Sequence, residues 1–150
     1  MKILMVCLGN ICRSPLAEGI LQEKIRERGL AWEVESAGTG DWHIGEPPDP
    51  RSIATARRYG IDISGQRARQ FERADFERFD LILTMDTTNY RDVLRHAPSA
   101  AHHEKVDLIM NLVHPQEDRS VPDPYWDDDG FEQVFNMLDR ATERLLERYE

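Results

Sequence analysis

Cysteine is scarce in this chain, and its scarcity excludes two kinds of protein. The 150 residues contain only two cysteines, Cys7 and Cys12. Two cysteines are too few for a disulfide-stapled scaffold or for a zinc site with four thiolate ligands. Both lie near the amino terminus, and paired thiols in a chain without a disulfide framework are more often reactive than structural. The start of the chain is therefore the first place to expect chemistry.

Excess positive charge and long apolar runs are missing as well. The 19 basic residues are outnumbered by 28 acidic ones, which gives a net charge of −9. A nucleic-acid-binding protein needs a basic face, and an anionic membrane surface attracts basic segments, so we expect neither partner. No apolar run approaches the ~18–20 residues of a membrane span. The apolar amino terminus lacks a small-residue cleavage site, so we expect it to be a buried strand of a cytoplasmic protein.

The composition and the length are those of one ordinary domain. Hydrophobic residues make up 40% of the chain and charged residues 31%, a balance typical of a globular protein. Domains cluster near ~100–150 residues, and the chain contains no internal repeat, low-complexity tract or linker. We therefore expect a single domain over residues 1–150.

Strand-like and helix-like segments alternate along the chain. Apolar runs predict four strands, at Lys2–Leu8, Trp32–Ser36, Phe79–Thr84 and Lys105–Met110. Apolar stripes predict helices from Ser14 to Gly29, at Arg51–Tyr59, at Asp86–His96 and at Phe131–Tyr149. Ser14 is the expected N-cap of the first helix, with Pro15 at its first position and Gly29 at its end, and Asp86 caps a later helix. This alternation predicts an α/β domain with a mainly parallel sheet.

Three loops are expected to meet at one edge of this sheet. They are the turn Cys7–Ser14 and the two long loops Gly38–Pro50 and Asn111–Gly130. Parallel α/β sheets bind their ligands outside the carboxyl ends of the strands. We therefore expect the functional residues in these three segments.

The turn after the first strand has the features of an anion site. Its consecutive backbone N–H groups precede a helix whose dipole is positive at this end. Gly9 and Asn10 both tolerate the left-handed backbone angles that a tight cradle needs. Arg13 adds a planar group that can hold two phosphate oxygens.

The same turn places a nucleophile next to the anion site. The positive field favours the thiolate of Cys7 near neutral pH. A thiolate at the floor of a phosphate cradle predicts attack on phosphorus and a covalent phosphocysteine. A lone cysteine at a strand end is more often an inert core residue, but the adjacent turn, Arg13 and the helix start favour the nucleophile. The loop is not of the Walker type, because the Gly-Lys-Ser/Thr ending is absent.

These motifs resemble those of the low-molecular-weight protein tyrosine phosphatases. The first is Cys-x5-Arg followed by Ser-Pro, within CLGNICRSP at residues 7–15. Further similarities follow in the same order as in the family, at Ser36-Ala37-Gly38, Asp41-Trp42, Pro48-Asp49-Pro50-Arg51, Thr84-Met85-Asp86, Asn89 and Asp123-Pro124-Tyr125-Trp126. The resemblance implies a four-stranded parallel sheet with helices on both faces and no cofactor or metal. It also implies a phosphotyrosine-containing protein substrate and a monomer or weak dimer.

The resemblance assigns roles in the phosphate-binding loop. Cys7 is the nucleophile, Arg13 clamps the phosphoryl oxygens, and the Ser14 hydroxyl bonds the Cys7 thiolate. Asn10 holds the loop in shape, with Ser36 as its partner. The other members of the loop are Leu8, Gly9, Ile11 and Cys12.

Asp123 is the expected general acid, which a poorly leaving phenolate or alkoxide requires. It later acts as the base on the attacking water. Most of its acidic neighbours are expected to be a solvated loop: Asp118, Asp127, Asp128 and Asp129. Pro122 and Pro124 stiffen the chain on either side of Asp123, which together with the family match selects this carboxylate.

Two further groups of residues have more than one interpretation. Trp42, Tyr125 and Trp126 are expected to rim the pocket and clasp a flat substrate ring, although loop aromatics can also be local packing anchors. Cys12 can trap an oxidised Cys7 as a disulfide, or it can be a small buried hydrophobe. The residues leave both readings of Cys12 open, and the resemblance supports the redox role.

One position departs from the family. Many relatives carry a histidine that supports the nucleophile loop after the segment that corresponds to Ile63-Ser64, whereas this chain has Gln66. An amide can still donate a hydrogen bond, so the sequence leaves open whether Gln66 replaces that support.

Three other functions compete with tyrosine phosphatase activity. An arsenate reductase on this fold needs further cysteines to relay a disulfide, and none exists beyond Cys12. Protein-arginine phosphatases typically carry threonine where this chain has Ile11. A non-catalytic phosphate-binding module would be expected to lack Cys7, Arg13 or Asp123, and all three are present.

Overall fold

The structure, a computed structural model, describes residues 1–150 and contains one four-stranded sheet. Its strands are β1 (Lys2–Cys7), β2 (Glu33–Gly38), β3 (Leu81–Thr84) and β4 (Val106–Leu108). They lie in the order β2-β1-β3-β4, and all three pairings are parallel. The helices are α1 (Arg13–Arg28), α2 (Pro50–Arg58), α3 (Asp75–Arg78), α4 (Thr87–Leu94), α5 (Ala100–His103) and α6 (Gly130–Tyr149). Two short 3-10 helices cover Ile109–Leu112 and Pro124–Trp126.

The central strand β1 is buried on both faces, because its side chains alternate between two cores. Ile3 and Met5 belong to the larger core, which α1 and α6 cover. Leu4 and Val6 belong to the smaller core, with Phe76 of α3 as a member. Helices therefore cover both faces of the parallel sheet, and the predicted fold class is confirmed.

The start of α1 differs from the prediction. The helix begins at Arg13, and Cys12 occupies the N-cap position without a side-chain cap bond. Ser14 is therefore not the N-cap, and Pro15 is the third helical residue. Because Ser14 lies inside the helix, its hydroxyl does not cap α1. The predicted end is confirmed, since Gly29 adopts a left-handed φ of 62° directly after the last residue.

Of the other predicted boundaries, one is confirmed and one is wrong. The Asp86 side chain caps α4 as predicted by accepting a hydrogen bond from the backbone N–H of Asn89. The predicted strand Lys105–Met110 is shorter, because the chain turns into a 3-10 helix at Ile109. The helices α3 and α5 were not predicted, since each is only four residues long and too short for an apolar period.

The parallel register brings the predicted loops to one edge of the sheet. Cys7 at the end of β1 lies beside Gly38 at the end of β2, and Val6 lies beside Thr84 at the end of β3. The segments that follow these strands therefore surround the start of α1. None of the helices combines the length and apolar character needed to cross a bilayer.

Candidate active site

The turn between β1 and α1 forms a tight loop, which we call the phosphate loop (residues 7–14). Of its two residues expected to be left-handed, only Asn10 is, with a φ of 57°. Gly9 does not adopt a positive φ. The loop instead requires glycine at its neighbour Gly38, where a Cβ would lie 2.7 Å from the carbonyl oxygen of Leu8.

Cys7 lies at the floor of this loop, with only 2% of its surface exposed. Its Sγ is 2.9 Å from the Ser14 hydroxyl oxygen. The backbone N–H of Asn10 also points at this sulfur, at 3.3 Å. Two hydrogen-bonding groups therefore converge on the sulfur that the sequence predicts as the nucleophile.

Asn10 connects the loop to its surroundings. Its Nδ2 donates to the hydroxyls of Ser14 and Ser36, at 2.8 and 2.9 Å. Its Oδ1 accepts a hydrogen bond from the backbone N–H of Arg69 at 3.0 Å. The Ser36 hydroxyl in turn donates to the Glu18 carboxylate at 2.7 Å. The structure thus brings together the predicted pair Asn10 and Ser36, and it adds Glu18 as a group that the sequence did not suggest.

Glu18 is a titratable group behind the loop. Burial raises the pKa of its carboxyl above the ordinary value, the hydrogen bond from Ser36 opposes the rise, Glu35 adds to it, and Arg69 opposes it. Gln66 forms no side-chain hydrogen bond with Asn10 or Ser36. Its amide nitrogen donates to the Pro15 carbonyl at 3.1 Å, and its buried carbonyl oxygen has no partner.

The Arg13 guanidinium is buried, and one of its nitrogens donates to two acceptors. It donates to Asp86 at 2.7 Å and to the carbonyl oxygen of Val121 at 3.0 Å. Burial by itself lowers the pKa of Arg13, but Cys7, Asp86 and Asp123 together raise it above its ordinary value, so the group stays charged. Asp86 was not predicted as part of the site, although its position directly after β3 places it at the correct edge of the sheet.

Asp123 lines the same cavity as Cys7 and lies close to Arg13. Its Oδ2 is 3.8 Å from a guanidinium nitrogen of Arg13. Its Oδ1 accepts a hydrogen bond from the backbone N–H of Tyr125 at 3.1 Å, which starts the 3-10 helix. About a third of the side chain, 36%, is exposed. Asp123 is thus held by the backbone at one oxygen and faces the phosphate loop with the other.

An open cavity of about 280 Å³ lies above the phosphate loop. Every predicted catalytic, loop and rim residue lines it except Asn10, Ser14 and Ser36, whose side chains are buried. The rim aromatics Trp42 and Trp126 are 68% and 87% exposed. His43, which the sequence did not single out, also lines the cavity and pairs with Glu46.

Cys12 lies in the same cavity wall as a free thiol, as does Cys7. Burial raises the pKa of Cys12 to about 12, and the charges of Asp49, Cys7 and Asp123 add to the rise. Cys12 is therefore a neutral thiol at physiological pH. No three side chains of His, Cys, Asp or Glu come together in a way that could hold a metal ion.

Arg51 links the loop that carries Asp123 to the start of α2. Its guanidinium bonds both carboxylate oxygens of Asp49 and one of Asp128. It also lies over the ring of Tyr125, 5.5 Å from the ring centre, and over Phe131 at 4.7 Å. We call this set of contacts the Arg51 clasp. The sequence contains Asp49-Pro50-Arg51 as a similarity to the family but indicates nothing about this contact.

The comparisons with known proteins agree with this geometry. The family model of the low molecular weight phosphotyrosine protein phosphatases matches residues 2–150. A Synechocystis protein, which its name assigns provisionally to the low molecular weight protein-tyrosine-phosphatases, is 46% identical over 97% of this chain and 94% of its own length.

Solved structures are similar over almost the whole chain. YfkJ from Bacillus subtilis has 35% identity and a TM-score of 0.91, over 99% of this chain and 93% of that one. A Drosophila arginine phosphatase has 32% identity and a TM-score of 0.93, over 100% and 98%. With the family model matching nearly every residue and relatives named as phosphatases along its whole length, the chain belongs to the low molecular weight protein-tyrosine-phosphatases, a family of hydrolases.

Proposed function

We propose that the chain hydrolyses phosphotyrosine in proteins, and small aryl phosphates, through a phosphocysteine intermediate. The observation that carries the proposal is the arrangement around Cys7. Its sulfur lies at the floor of the cavity between the Ser14 hydroxyl and the Asn10 N–H. Arg13 and Asp123 face the same space. A nucleophile, a cation and an acid therefore share one cavity, and Trp42, Tyr125 and Trp126 also line it.

In the first step the Cys7 thiolate attacks phosphorus and forms the S–P bond. The bond between phosphorus and the tyrosine oxygen breaks, and Asp123 gives its proton to that oxygen. Arg13 holds the equatorial phosphoryl oxygens and offsets the charge that develops on them. Its position supports this role, since Asp86 and Val121 fix the guanidinium from the side.

In the second step water replaces the sulfur. Asp123, now a carboxylate, accepts a proton from the attacking water, and the S–P bond breaks to release phosphate. The Ser14 hydroxyl donates to the departing thiolate and makes it a better leaving group. The distance of 2.9 Å between the two side chains supports this contact.

The proposal extends to the conditions in which the enzyme works. Nucleophile, clamp and acid all come from one chain, so a monomer suffices and a weak dimer is compatible. Cys7 must be a free thiol, which favours a reducing compartment such as the cytoplasm. Oxidation of Cys7 would then switch the activity off, with Cys12 as its disulfide partner.

Replacing the nucleophile tests the proposal directly. Cys7→Ser should lower turnover of p-nitrophenyl phosphate by ~1,000-fold or more, because an alcohol cannot form the thiophosphate bond. Rapid mixing of the wild type should show a burst of nitrophenolate. An unchanged circular dichroism spectrum would show that the variant is folded. Substantial turnover by the variant would contradict a cysteine nucleophile.

A second candidate function follows from the structural likeness to an arginine phosphatase. That structure has a TM-score of 0.93 against this chain, so the backbone alone does not separate the two activities. Ile11, which lines the cavity, favours the aryl substrate because arginine phosphatases are expected to carry threonine there. Turnover of phosphoarginine at a rate equal to that of phosphotyrosine would reverse this preference.

A further inference from the structure

The mouth of the cavity is negatively charged, although its floor is built to bind an anion. Two exposed loops, residues 41–46 and 123–129, form this mouth and contribute Trp42, His43, Asp123, Tyr125 and Trp126 to the cavity wall. The two loops contain six carboxylates and no lysine or arginine. The carboxylates are Asp41, Glu46, Asp123, Asp127, Asp128 and Asp129.

The cations close to the mouth already have partners. Arg51 is bound to Asp49 and Asp128, and Arg13 is bound to Asp86 below the mouth. By contrast, the carboxylates of Asp41, Asp127 and Asp129 form no ion pair. All three residues are exposed. The Asp127 carboxylate accepts one hydrogen bond, from the backbone N–H of Asp129. Three negative charges in these two loops are therefore unneutralised.

Two exposed indole rings belong to residues that neighbour these free carboxylates in the sequence. Trp42 follows Asp41, and Trp126 precedes Asp127; the rings are 68% and 87% exposed. An indole face binds a guanidinium or an ammonium group by cation–π attraction. A free carboxylate on the same loop can add an ion pair to that cation. Exposed rings and free carboxylates are independent observations, and both favour a cationic side chain.

We propose that the mouth, which we define as Asp41, Trp42, Trp126, Asp127 and Asp129, binds arginine or lysine side chains that flank the phosphotyrosine of the substrate. The inference rests on the proposed function, because the phosphotyrosine itself must occupy the floor. Substrates with basic flanking residues are therefore preferred over those with acidic ones. Segments rich in Asp or Glu around the tyrosine meet like charge on either side of the cavity.

The opposite charges of floor and mouth do not cancel. Charges on exposed groups are screened over a Debye length of ~8 Å at physiological salt. The phosphate is held by backbone N–H groups and a buried Arg13, whereas the mouth acts on residues on either side of it. The floor therefore selects the phosphoryl group, and the mouth discriminates between its neighbours.

A pair of matched peptides tests the inference. Both carry one phosphotyrosine, and they differ only in having lysine and arginine or glutamate at the same flanking positions. We expect kcat/KM for the basic peptide to be at least ~5-fold higher, since each exposed ion pair contributes modestly. The ratio should shrink in 0.5 M salt, at which the Debye length is only ~4 Å. Equal kcat/KM values for the two peptides, or a higher value for the glutamate peptide, would overturn the proposal.

Amide substitutions locate the effect on the protein. The triple variant Asp41→Asn, Asp127→Asn, Asp129→Asn should bring the ratio close to one, and asparagine keeps the acceptor oxygen that the Asp129 N–H requires. The control triple Glu27→Gln, Glu104→Gln, Glu147→Gln removes the same number of charges from exposed positions elsewhere and should keep the ratio of the wild type. A ratio that falls equally in both triples would mean that net charge, and not the mouth, sets the preference.

The two proposals fail differently. If the wild type does not hydrolyse free phosphotyrosine or p-nitrophenyl phosphate, the proposed function is wrong. If it hydrolyses them but treats the two peptides alike, only the inference about the mouth is wrong. The peptide ratio is taken within one protein sample, so partial unfolding of a variant does not change it.

Discussion

Among the carboxylates after β4, contacts distinguish Asp123 from its neighbours. Asp123 lies 3.8 Å from Arg13. Asp128 is bound to Arg51, and Asp118 to Asn111. Asp127 accepts the backbone N–H of Asp129. Only Asp123 among these five both lines the cavity and faces its cation.

Loss of the proton that Asp123 donates should lower the rate of hydrolysis most for substrates whose leaving group is a strong base. Asp123→Asn should slow hydrolysis of phosphotyrosine by roughly 100-fold, while the defect with p-nitrophenyl phosphate should be smaller, because nitrophenolate leaves without protonation. Asparagine keeps the oxygen that accepts the Tyr125 N–H, so the loop should stay in place. Steady-state rates on both substrates measure this difference.

Asp118→Asn is the control for this substitution, since Asp118 lies on the same segment but outside the cavity. It should affect both substrates equally and weakly. If Asp123→Asn slows both substrates to the same extent, another group is the general acid.

The protonation of Cys12 governs its redox chemistry. Peroxide converts the Cys7 thiolate to a sulfenic acid, and the Cys12 thiolate must then attack that sulfur and displace hydroxide. Because the pKa of Cys12 is raised to about 12, its thiolate fraction is small near neutral pH and grows about tenfold per pH unit. We therefore expect the disulfide to form slowly at pH 7 and much faster at pH 9.

Mass spectrometry of peroxide-treated protein, quenched at intervals, follows this reaction. Cys12→Ser should recover less activity on addition of a thiol reductant, because the sulfenic acid proceeds to irreversible states. Equal recovery by the variant would exclude a protective role. A rate of disulfide formation that is independent of pH would contradict the raised pKa.

At the scale of elements, the Arg51 clasp joins α2 to the loop that carries the general acid. The guanidinium bridges Asp49, the N-cap of α2, and Asp128, and it stacks on Tyr125 two residues after Asp123. The loop contains no regular element longer than three residues. Its position therefore depends on such contacts, and on the hydrogen bond between the Val121 N–H and the Met85 carbonyl at 2.7 Å.

Opening the Arg51 clasp should misplace the acid without touching the nucleophile. Arg51→Met should lower kcat for phosphotyrosine by ~10-fold or more, and the loss with p-nitrophenyl phosphate should again be smaller. Arg58→Met is the matched control, because Arg58 lies on the same helix but pairs with Glu132 away from the cavity. A variant at position 51 that loses both activities equally would show that the clasp supports the whole site.

The sequence predicted those parts of the site that are close together along the chain. Cys7 and Arg13 belong to one short motif, whose spacing carries the chemistry. Glu18, Asp86 and Arg51 were not predicted as parts of the site, since their contacts form only after folding. The contact of Asp86 with Arg13, for example, spans 73 residues.

The same limit applies to the fold. Long apolar stripes such as that of α6 predict a helix over nearly its full length, because the period repeats over 20 residues. One-turn helices contain no repeat, and α3 and α5 were therefore not predicted. The start of α1 was predicted two residues late, with the N-cap at Ser14 instead of Cys12, because Ser14-Pro15 has the pattern of a cap. The Ser14 hydroxyl binds Cys7 instead.

For the whole molecule, the half-buried carboxyl of Glu18 couples stability to pH. Its folded-state pKa is raised above the ordinary value of a glutamate side chain, so the folded protein holds this proton more tightly than the unfolded chain. Stability from this group is therefore present below pH ~4.5 and is lost as the pH rises through the folded pKa. Other carboxylates superimpose their own pH dependence, so the variant comparison isolates Glu18.

Glu18→Gln removes the titration and can still accept the Ser36 hydroxyl. The free energy of unfolding of the variant minus that of the wild type should increase between pH 4.5 and pH 8. Urea unfolding at both values measures this difference. Glu33→Gln, on an exposed strand position, is the control and should show little change in the difference. A constant difference for Glu18→Gln would mean that its carboxyl titrates normally.

The positions of the tryptophans give the molecule an intrinsic optical reporter. Two of the three indoles, Trp42 and Trp126, lie at the cavity and are largely in contact with water. The third, Trp32, is half-buried just before β2, at the opposite edge of the sheet. Any molecule that enters the cavity displaces water from two emitting rings and leaves the third unaffected. The native fluorescence should therefore change when the site is occupied, without a label, while Trp32 contributes a constant part of the emission.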